Sequence, residues 1–307
     1  MLPDVPMADK RQLFLKEYDW VRTALMFEPR GHDIMSGSIL YPPSSDDFDI
    51  GVLFIEVSGC LPMCGHGTIG TTTAAIEAGL VRPKTEGTLV IEAPAGRVEA
   101  KYTRSGSGID SVRLFNVPSY LHASKVRISV PTLGEIVLDV SYGGNFYAII
   151  EPQKSWPGLD SMSALDIVRL SPLVRAAAQA AVKPVHVEDS RISGVSHVMW
   201  CDQPKDSRAH GRNAVFYGAK AIDRSPCGTG SSARMAQLHA RGELAAGAEF
   251  VHESLIGTLF YCRVESEHRR GGYTFINPSV SGWARVTGHN TIFVDTEDPL
   301  WRGFQLL

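Results

Sequence analysis

Two cysteines in matching surroundings carry the most chemical information in this sequence of 307 residues. Cys64-Gly65-His66-Gly67 and Cys227-Gly228-Thr229-Gly230 each open a stretch predicted to be helical. The first stretch stops at Gly79 and the second at Gly242, each fifteen residues past its cysteine. Beyond each helix a strand carries Glu-x-x-x-Gly, as Glu92 to Gly96 and Glu253 to Gly257. A module of cysteine, glycine loop, helix and strand pair therefore occurs twice, which implies two similar α/β halves.

The start of a helix offers backbone N–H groups without intrahelical partners and a partial positive charge, so it binds anions. Glycines let a ligand approach that backbone closely. A cysteine in the same field is biased toward thiolate. If the two helix starts face one small carboxylate, its Cα lies between two sulfurs. One thiolate then removes the α-proton as general base, and the opposite thiol returns a proton to the other face. N–H groups on the carboxylate bind more strongly as negative charge develops there.

The elements that must position these groups follow from patterning. Strands are predicted at 48–58, 87–92, 97–103, 195–200, 213–217, 249–253, 257–265 and 290–294, and across 135–150 with an interruption at Gly143-Gly144. Helices are predicted from 67 to Gly79, over 165–182, and from Cys227 to about Arg241. The pattern weakens at 118–127, which is read as a domain junction. The division is residues 1–120 plus 289–307, carrying Cys64, and residues 121–288, carrying Cys227.

Met63-Cys64-Gly65-His66-Gly67 and Asp223-Arg224-Ser225-Pro226-Cys227-Gly228-Thr229-Gly230 resemble the two signature motifs of the proline racemase family. Gly143-Gly144-Asn145-Phe146-Tyr147 and Gly31-His32-Asp33 also resemble segments of that family, and the likeness runs along essentially the whole chain. The resemblance implies a mixed α/β fold of the diaminopimelate epimerase type: two pseudo-symmetric domains, each a barrel-like sheet around a central helix. It implies Cys64 and Cys227 as the acid/base pair. Gly65, His66, Gly228 and Thr229 would contact the substrate carboxylate, and Asp223 its ring amine. The branch that dehydrates 3-hydroxyproline typically has threonine in place of the second cysteine, whereas this chain has Cys227. Proline racemases tend to carry phenylalanine at the position of Ser36 and lack a histidine at that of His197. Ser36 and His197, with Tyr217 lining the same pocket, resemble the 4-hydroxyproline 2-epimerase branch, with proline racemase as the alternative. A site built to bind a hydroxyl rejects analogues lacking it. Family members usually begin with a further strand carrying a His-Thr-x-Gly-like motif; this sequence starts at Met1-Leu2-Pro3, so the resemblance implies an exposed sheet edge and reduced stability.

Other readings of the same residues are weaker. Cys60, Cys64 and His66 offer no second Cys/His pair to close a zinc site, so no metal is expected. Gly65-His-Gly67-Thr-Ile-Gly70 matches a dinucleotide fingerprint formally, but five residues separate the strand from its first glycine. A Cys64/His66 hydrolase leaves Cys227 without a role, and a catalytically silent fold member leaves both cysteines without one. Cys60, Cys201 and Cys262 lack glycine context and are read as structural.

Composition fits this picture. The sequence is 44% hydrophobic with a net charge of −3 and no single-sign block, which gives nucleic acid or anionic membrane no basic field. No stretch has the apolar length of a membrane helix. Lys10, Arg11, Lys16 and Glu17 follow the opening residues without the apolar run of an export signal. The expectation is a cytoplasmic enzyme, monomer or homodimer, with a small amino acid as its partner, no cofactor, and its five cysteines as free thiols.

Overall fold

The computed structural model describes residues 3–106 and 108–306. The chain forms two compact units, residues 1–114 with 283–307, and residues 115–282.

The first unit begins with helices α1 (Met7–Leu13) and α2 (Asp19–Met26), joined by a wide π-type turn at Phe14–Tyr18. Strands β1 (Ser36–Tyr41), β2 (Ile50–Glu56) and β3 (Gly59–Leu61) precede helix α3 (Gly65–Glu77). Strands β4 (Thr88–Ala93), β5 (Gly96–Ser105) and β6 (Gly108–Phe115) follow it. Their order is β1-β2-β4-β5-β6, with β3 folded back on β2. Every residue of β2 is buried, as its unbroken apolar run requires. Strand β1 pairs only with β2 among the described residues, and all six of its residues are half-buried.

The second unit contains β7 (Ser119–Val130), β8 (Gly134–Tyr142) and β9 (Phe146–Ile150), then helix α4 (Ala164–Val182). Strands β10 (Val195–Asp202), β11 (Gly211–Tyr217) and β12 (Ala221–Ile222) lead to helix α5 (Gly228–Ala240). Strands β13 (Glu249–Glu253), β14 (Leu259–Arg270) and β15 (Tyr273–Gly282) complete it. The sheet runs β15-β14-β13-β11-β10-β9-β8-β7 and closes by pairing β15 with β7, at Phe275–Tyr120 and Ile276–Ser119. Closure leaves this eight-stranded barrel without an edge. Helix α5 contacts β7, β8, β9, β14 and β15 and so fills the interior. Helix α4 packs outside, started by a capping box between Ser163 and Asp166.

An eight-stranded barrel is just wide enough inside for side chains, so a helix there must be slender. Helix α5 meets that demand with Gly-Thr-Gly-Ser-Ser-Ala at its start, all buried. Its hydroxyls are satisfied locally: Ser232 donates to the Gly228 carbonyl at 3.0 Å. Helix α3 is built alike, with Thr68 donating to the Cys64 carbonyl at 2.8 Å and Thr73 to that of Ile69 at 2.9 Å.

The internal repeat extends to topology. In the first unit β2 is followed by an antiparallel short strand (β3), then α3, then β4 parallel to β2. In the second, β11 is followed by antiparallel β12, then α5, then β13 parallel to β11. The repeated glutamates close equivalent turns. Glu92 accepts hydrogen bonds from the Ser44 backbone N–H at 2.8 Å and Met7 N–H at 2.9 Å. Glu253 accepts from Lys205 N–H at 2.6 Å and Asp206 N–H at 3.0 Å. Each is buried, and each replaces the water that those backbone groups would otherwise need.

The unit boundaries fall at 114/115 and 282/283, six residues from the expected 120/121 and 288/289, and the weak pattern at 118–127 is part of β7, just inside the second unit. Irregular pairing with β8 between Leu121 and Val126, with Lys125 at φ 54°, breaks the period-two alternation. Residues 290–294 form no strand, and Ile292 and Phe293 are 49% and 82% exposed. Strand propensity alone does not form a strand when the described residues offer no ladder to join. No helix of the described residues is long and apolar enough to cross a membrane.

Candidate active site

Each cysteine is the residue immediately before a helix: Cys64 caps α3 and Cys227 caps α5. Neither cysteine side chain makes a capping hydrogen bond to its helix. The backbone carbonyls of the cysteines already accept the first intrahelical bonds, from Thr68 N–H at 2.9 Å and Ser231 N–H at 2.7 Å. The first-turn N–H groups are therefore directed outward from each helix beside a thiol, the arrangement that binds a carboxylate.

The sulfurs fold back over their own helices because the third helical residue is glycine. A Cβ at Gly67 would lie 3.0 Å from Cys64 Sγ, and one at Gly230 would lie 3.0 Å from Cys227 Sγ. Any side chain at either position would push the sulfur away. The glycine spacing seen in the sequence thus has a steric cause at the sulfur in both halves.

In the first unit, Cys64, His66 and Ser36 line one cavity of about 320 Å³ together with Phe54, Ser38 and Thr71. Gly65 lies in the first turn of α3 beside it. Ser38 and Thr71 satisfy each other at 2.6 Å. The buried Ser36 Oγ has no hydrogen-bond partner among the described residues. Removing a hydroxyl from water without a partner is costly, so Ser36 is suited to a polar ligand group.

In the second unit, Cys227, Gly228 and Thr229 come together with Asp223, His197 and Tyr217 around Tyr147 on β9. Tyr147 Oη is 3.3 Å from Cys227 Sγ and 2.6 Å from Thr229 Oγ1. The Tyr147 ring lies 4.7 Å from that of His197, which in turn is stacked 6.2 Å from Tyr217. Burial first, then the neighbouring Cys227, hold the Tyr147 phenol well above its ordinary range, so it stays protonated. Asp223 braces the turn before the cysteine, accepting Ser225 N–H at 2.8 Å and Ser225 Oγ–H at 2.9 Å.

Cys227 has φ 65° and ψ 111°, a conformation that a residue with a Cβ rarely adopts, whereas Cys64 is relaxed at φ −139°. Its surroundings hold it there. The Cys227 N–H donates to Ser225 Oγ at 3.0 Å. The Pro226 carbonyl accepts from Asn213 Nδ2 at 2.7 Å and Ser231 Oγ at 3.2 Å. His252 Nδ1 lies 2.8 Å from Ser231 Oγ, and burial pushes this imidazole down to about 3, so it is neutral. Sequence reasoning does not single out Asn213, His252 or Tyr147. The only signal was the Gly-Gly-Asn-Phe-Tyr segment that ends at Tyr147.

The other three cysteines are buried within strands, Cys60 in β3, Cys201 in β10 and Cys262 in β14. Burial drives Cys60 up to about 12 and Cys201 up to about 11, the opposite of thiolate activation. Among the described residues, no group of three or more His, Cys, Asp or Glu side chains is placed to hold a metal ion.

Comparison with known proteins gives one consistent result. A family model described as proline racemase matches residues 1–305. The chain is 58% identical over 306 residues to 4-hydroxyproline 2-epimerase 2 of Rhizobium rhizogenes, covering 100% of this chain and 92% of that protein. It is 56% identical over 301 residues to 4-hydroxyproline 2-epimerase of Shewanella loihica, covering 98% and 90%. Among solved structures, a hydroxyproline epimerase from Agrobacterium vitis with bound trans-4-hydroxy-L-proline superposes with a TM-score of 0.91 at 29% identity, covering 100% of this chain and 88% of that one. A predicted epimerase of Pseudomonas aeruginosa, 15% identical with a TM-score of 0.51 over 90% and 91%, shares the fold.

Proposed function

The chain belongs to the proline racemase family, and from that premise we propose that it is a 4-hydroxyproline 2-epimerase. It interconverts trans-4-hydroxy-L-proline and cis-4-hydroxy-D-proline, with Cys64 and Cys227 acting on opposite faces of Cα. The observation that carries the reading is the duplicated sulfur site: a thiol at the start of a slender, uncapped helix, given room by a glycine three residues on, in each half.

The substrate carboxylate binds the N–H groups at the helix starts. One thiolate takes the α-proton and becomes a thiol. The electron pair left at Cα delocalises into the carboxylate, where the helix N–H groups meet the growing charge. The opposite thiol then delivers its proton to the other face and becomes a thiolate, leaving Cα inverted. Each turnover exchanges the protonation states of the two sulfurs, and the reverse reaction restores them. Ser36 and His197 are assigned to the substrate hydroxyl, Tyr217 to the pocket wall and Asp223 to the ring amine. The names of the relatives at 56–58% identity support this choice of substrate over proline.

Turnover of trans-4-hydroxy-L-proline and L-proline by the same preparation tests the assignment. The hydroxylated substrate is expected to show the higher kcat/KM; a preference for proline refutes the roles of Ser36 and His197. Cys64→Ser and Cys227→Ser should each lose about 10²-fold or more, the scale of a lost acid/base group. Full activity in either variant rules out the two-thiol scheme.

A further inference from the structure

We propose that Tyr147 sets the basicity of Cys227: its hydroxyl is the last donor in a one-way chain of hydrogen bonds that ends on the sulfur. This rests on the reading of Cys227 as a proton-transferring thiol.

The chain is read from its fixed end. Asn145 Nδ2, which can only donate, lies 3.4 Å from Thr229 Oγ1. Thr229 Oγ1 thereby receives a hydrogen and has one of its own to give. Tyr147 Oη is 2.6 Å away, whereas Cys227 Sγ is 3.9 Å away, so the threonine hydrogen goes to the tyrosine oxygen. That oxygen, filled by the threonine donor, turns its single hydrogen to Cys227 Sγ at 3.3 Å. A thiolate is an acceptor only, which fixes this direction further. Each donation polarises the next, and inside a buried site such chains strengthen cooperatively.

The arrangement is rigid. Tyr147 is fully buried, and its ring is held against His197 at 4.7 Å. The other titratable groups packed about Tyr147 and Cys227 are His197 and Cys201 on β10 and Asp223 in the preceding turn, with Tyr217 on β11 behind His197 and His252 on β13 behind Ser231. Substituting Tyr147 by phenylalanine leaves all of them in place. It removes the donor aimed at the sulfur together with the oxygen that accepts from Thr229, whose own hydroxyl is 3.9 Å from Cys227 Sγ. In the first unit, the residues lining the cavity at Cys64 include no tyrosine. The two thiols therefore differ in their neighbours: a tyrosine hydroxyl lies 3.3 Å from Cys227 Sγ, whereas His66 lines the cavity at Cys64.

A hydrogen bond to the charged form favours it, and losing a charge-assisted one from a buried site changes the ionisation about tenfold or more, which is about one pKa unit. Tyr147→Phe should therefore raise the Cys227 thiol by about one unit or more. The test is alkylation by iodoacetamide, in which the thiolate displaces iodide. It is followed across pH by peptide mass spectrometry on the full chain, with Cys64 in the same sample as internal reference. The expected result is about tenfold slower labelling of Cys227 near neutral pH, its profile displaced to higher pH, with the Cys64 profile unmoved. An unchanged Cys227 profile in the folded variant overturns the proposal. Biosynthetic replacement of the nine tyrosines by 3-fluorotyrosine gives a second readout that needs no substitution. The more acidic phenol should move the Cys227 profile to lower pH, and an unmoved profile there overturns the proposal as well. Labelling reads the thiol without turnover. A failed shift removes the tyrosine's role and leaves the two-thiol reading standing, whereas an active Cys227→Ser removes that reading alone.

Discussion

Adding one methyl group at Gly230 should disable the enzyme without unfolding it. The new Cβ would lie 2.7 Å from Met199 Cε, 3.0 Å from Cys227 Sγ and 3.1 Å from Cys227 Cβ. Carbon atoms are at ease about 3.5–4.0 Å apart, so roughly 0.5–1 Å must be absorbed. Met199 Cε, the end of a flexible side chain, can turn aside. The contacts with Cys227 Sγ and Cβ remain, and the cysteine backbone is already in a strained region, so the sulfur is what moves. Misplacing a reacting atom by about 1 Å costs up to about 10²-fold in rate. The effect on stability is smaller. Overpacking costs about 1–3 kcal/mol, while alanine in a helix gains about 1 kcal/mol over glycine, leaving a net loss of about 0–2 kcal/mol. Gly230→Ala is therefore expected to lower kcat by about 10- to 100-fold while its urea denaturation midpoint moves little. Chiral chromatography of the reaction mixture gives the rate. A Gly230→Ala enzyme with kcat within about twofold of the parent would refute the steric account of the glycine motif.

Three further outcomes follow from the same structure. Asn213→Ala leaves the buried Pro226 carbonyl without its side-chain amide donor and should destabilise the protein by about 1–3 kcal/mol, read by urea denaturation, and lower kcat through the loosened Cys227 turn; an unaltered midpoint contradicts the bracing role. His252 has its folded-state pKa lowered to about 3 from the ordinary 6.5, so the unfolded chain binds this proton first as pH falls. The stability contribution is full above about pH 6.5 and is lost progressively toward pH 3. His252→Gln should flatten that part of the stability profile, and an unchanged slope contradicts it. Ser36→Phe fills the cavity beside Cys64 and should shift kcat/KM toward proline and away from 4-hydroxyproline, in a direct competition assay; an unchanged ratio removes Ser36 from the hydroxyl site.

The cysteine–glycine–helix module was legible because its determinants are local. Cysteine before a helix, glycine where the sulfur folds back, and glycine in the left-handed conformation at Gly79 (φ 65°) and Gly242 (φ 77°) are all imposed within fifteen residues of chain. The repeat was legible for the same reason, and its strand pairing follows from one parallel crossover used twice. What escaped depends on distant contacts or broken periodicity. Strand β7 is masked by its irregular pairing between Leu121 and Val126. Strand β15 carries Pro278 in its middle, which argues against a strand; the residue is accommodated next to the irregularity between Val264 and Ser266 on β14. Tyr147 lies eighty residues from the sulfur it touches, and Asn213 and His252 reach the Cys227 turn from two separate strands. Only the closed barrel brings these residues together.

In the proposed mechanism two thiols, one on each face of Cα, carry the proton in and out. The most direct measurement is epimerisation of trans-4-hydroxy-L-proline in D2O, with deuterium followed at Cα in substrate and product during the first few per cent of conversion. Two thiols predict that essentially every product molecule gains deuterium while the remaining substrate stays protonated, because the base that removes the proton is not the acid that replaces it. Deuterium appearing in recovered substrate as fast as in product would mean that one group serves both faces, and product formed without deuterium would mean that the same proton returns; either result contradicts the account.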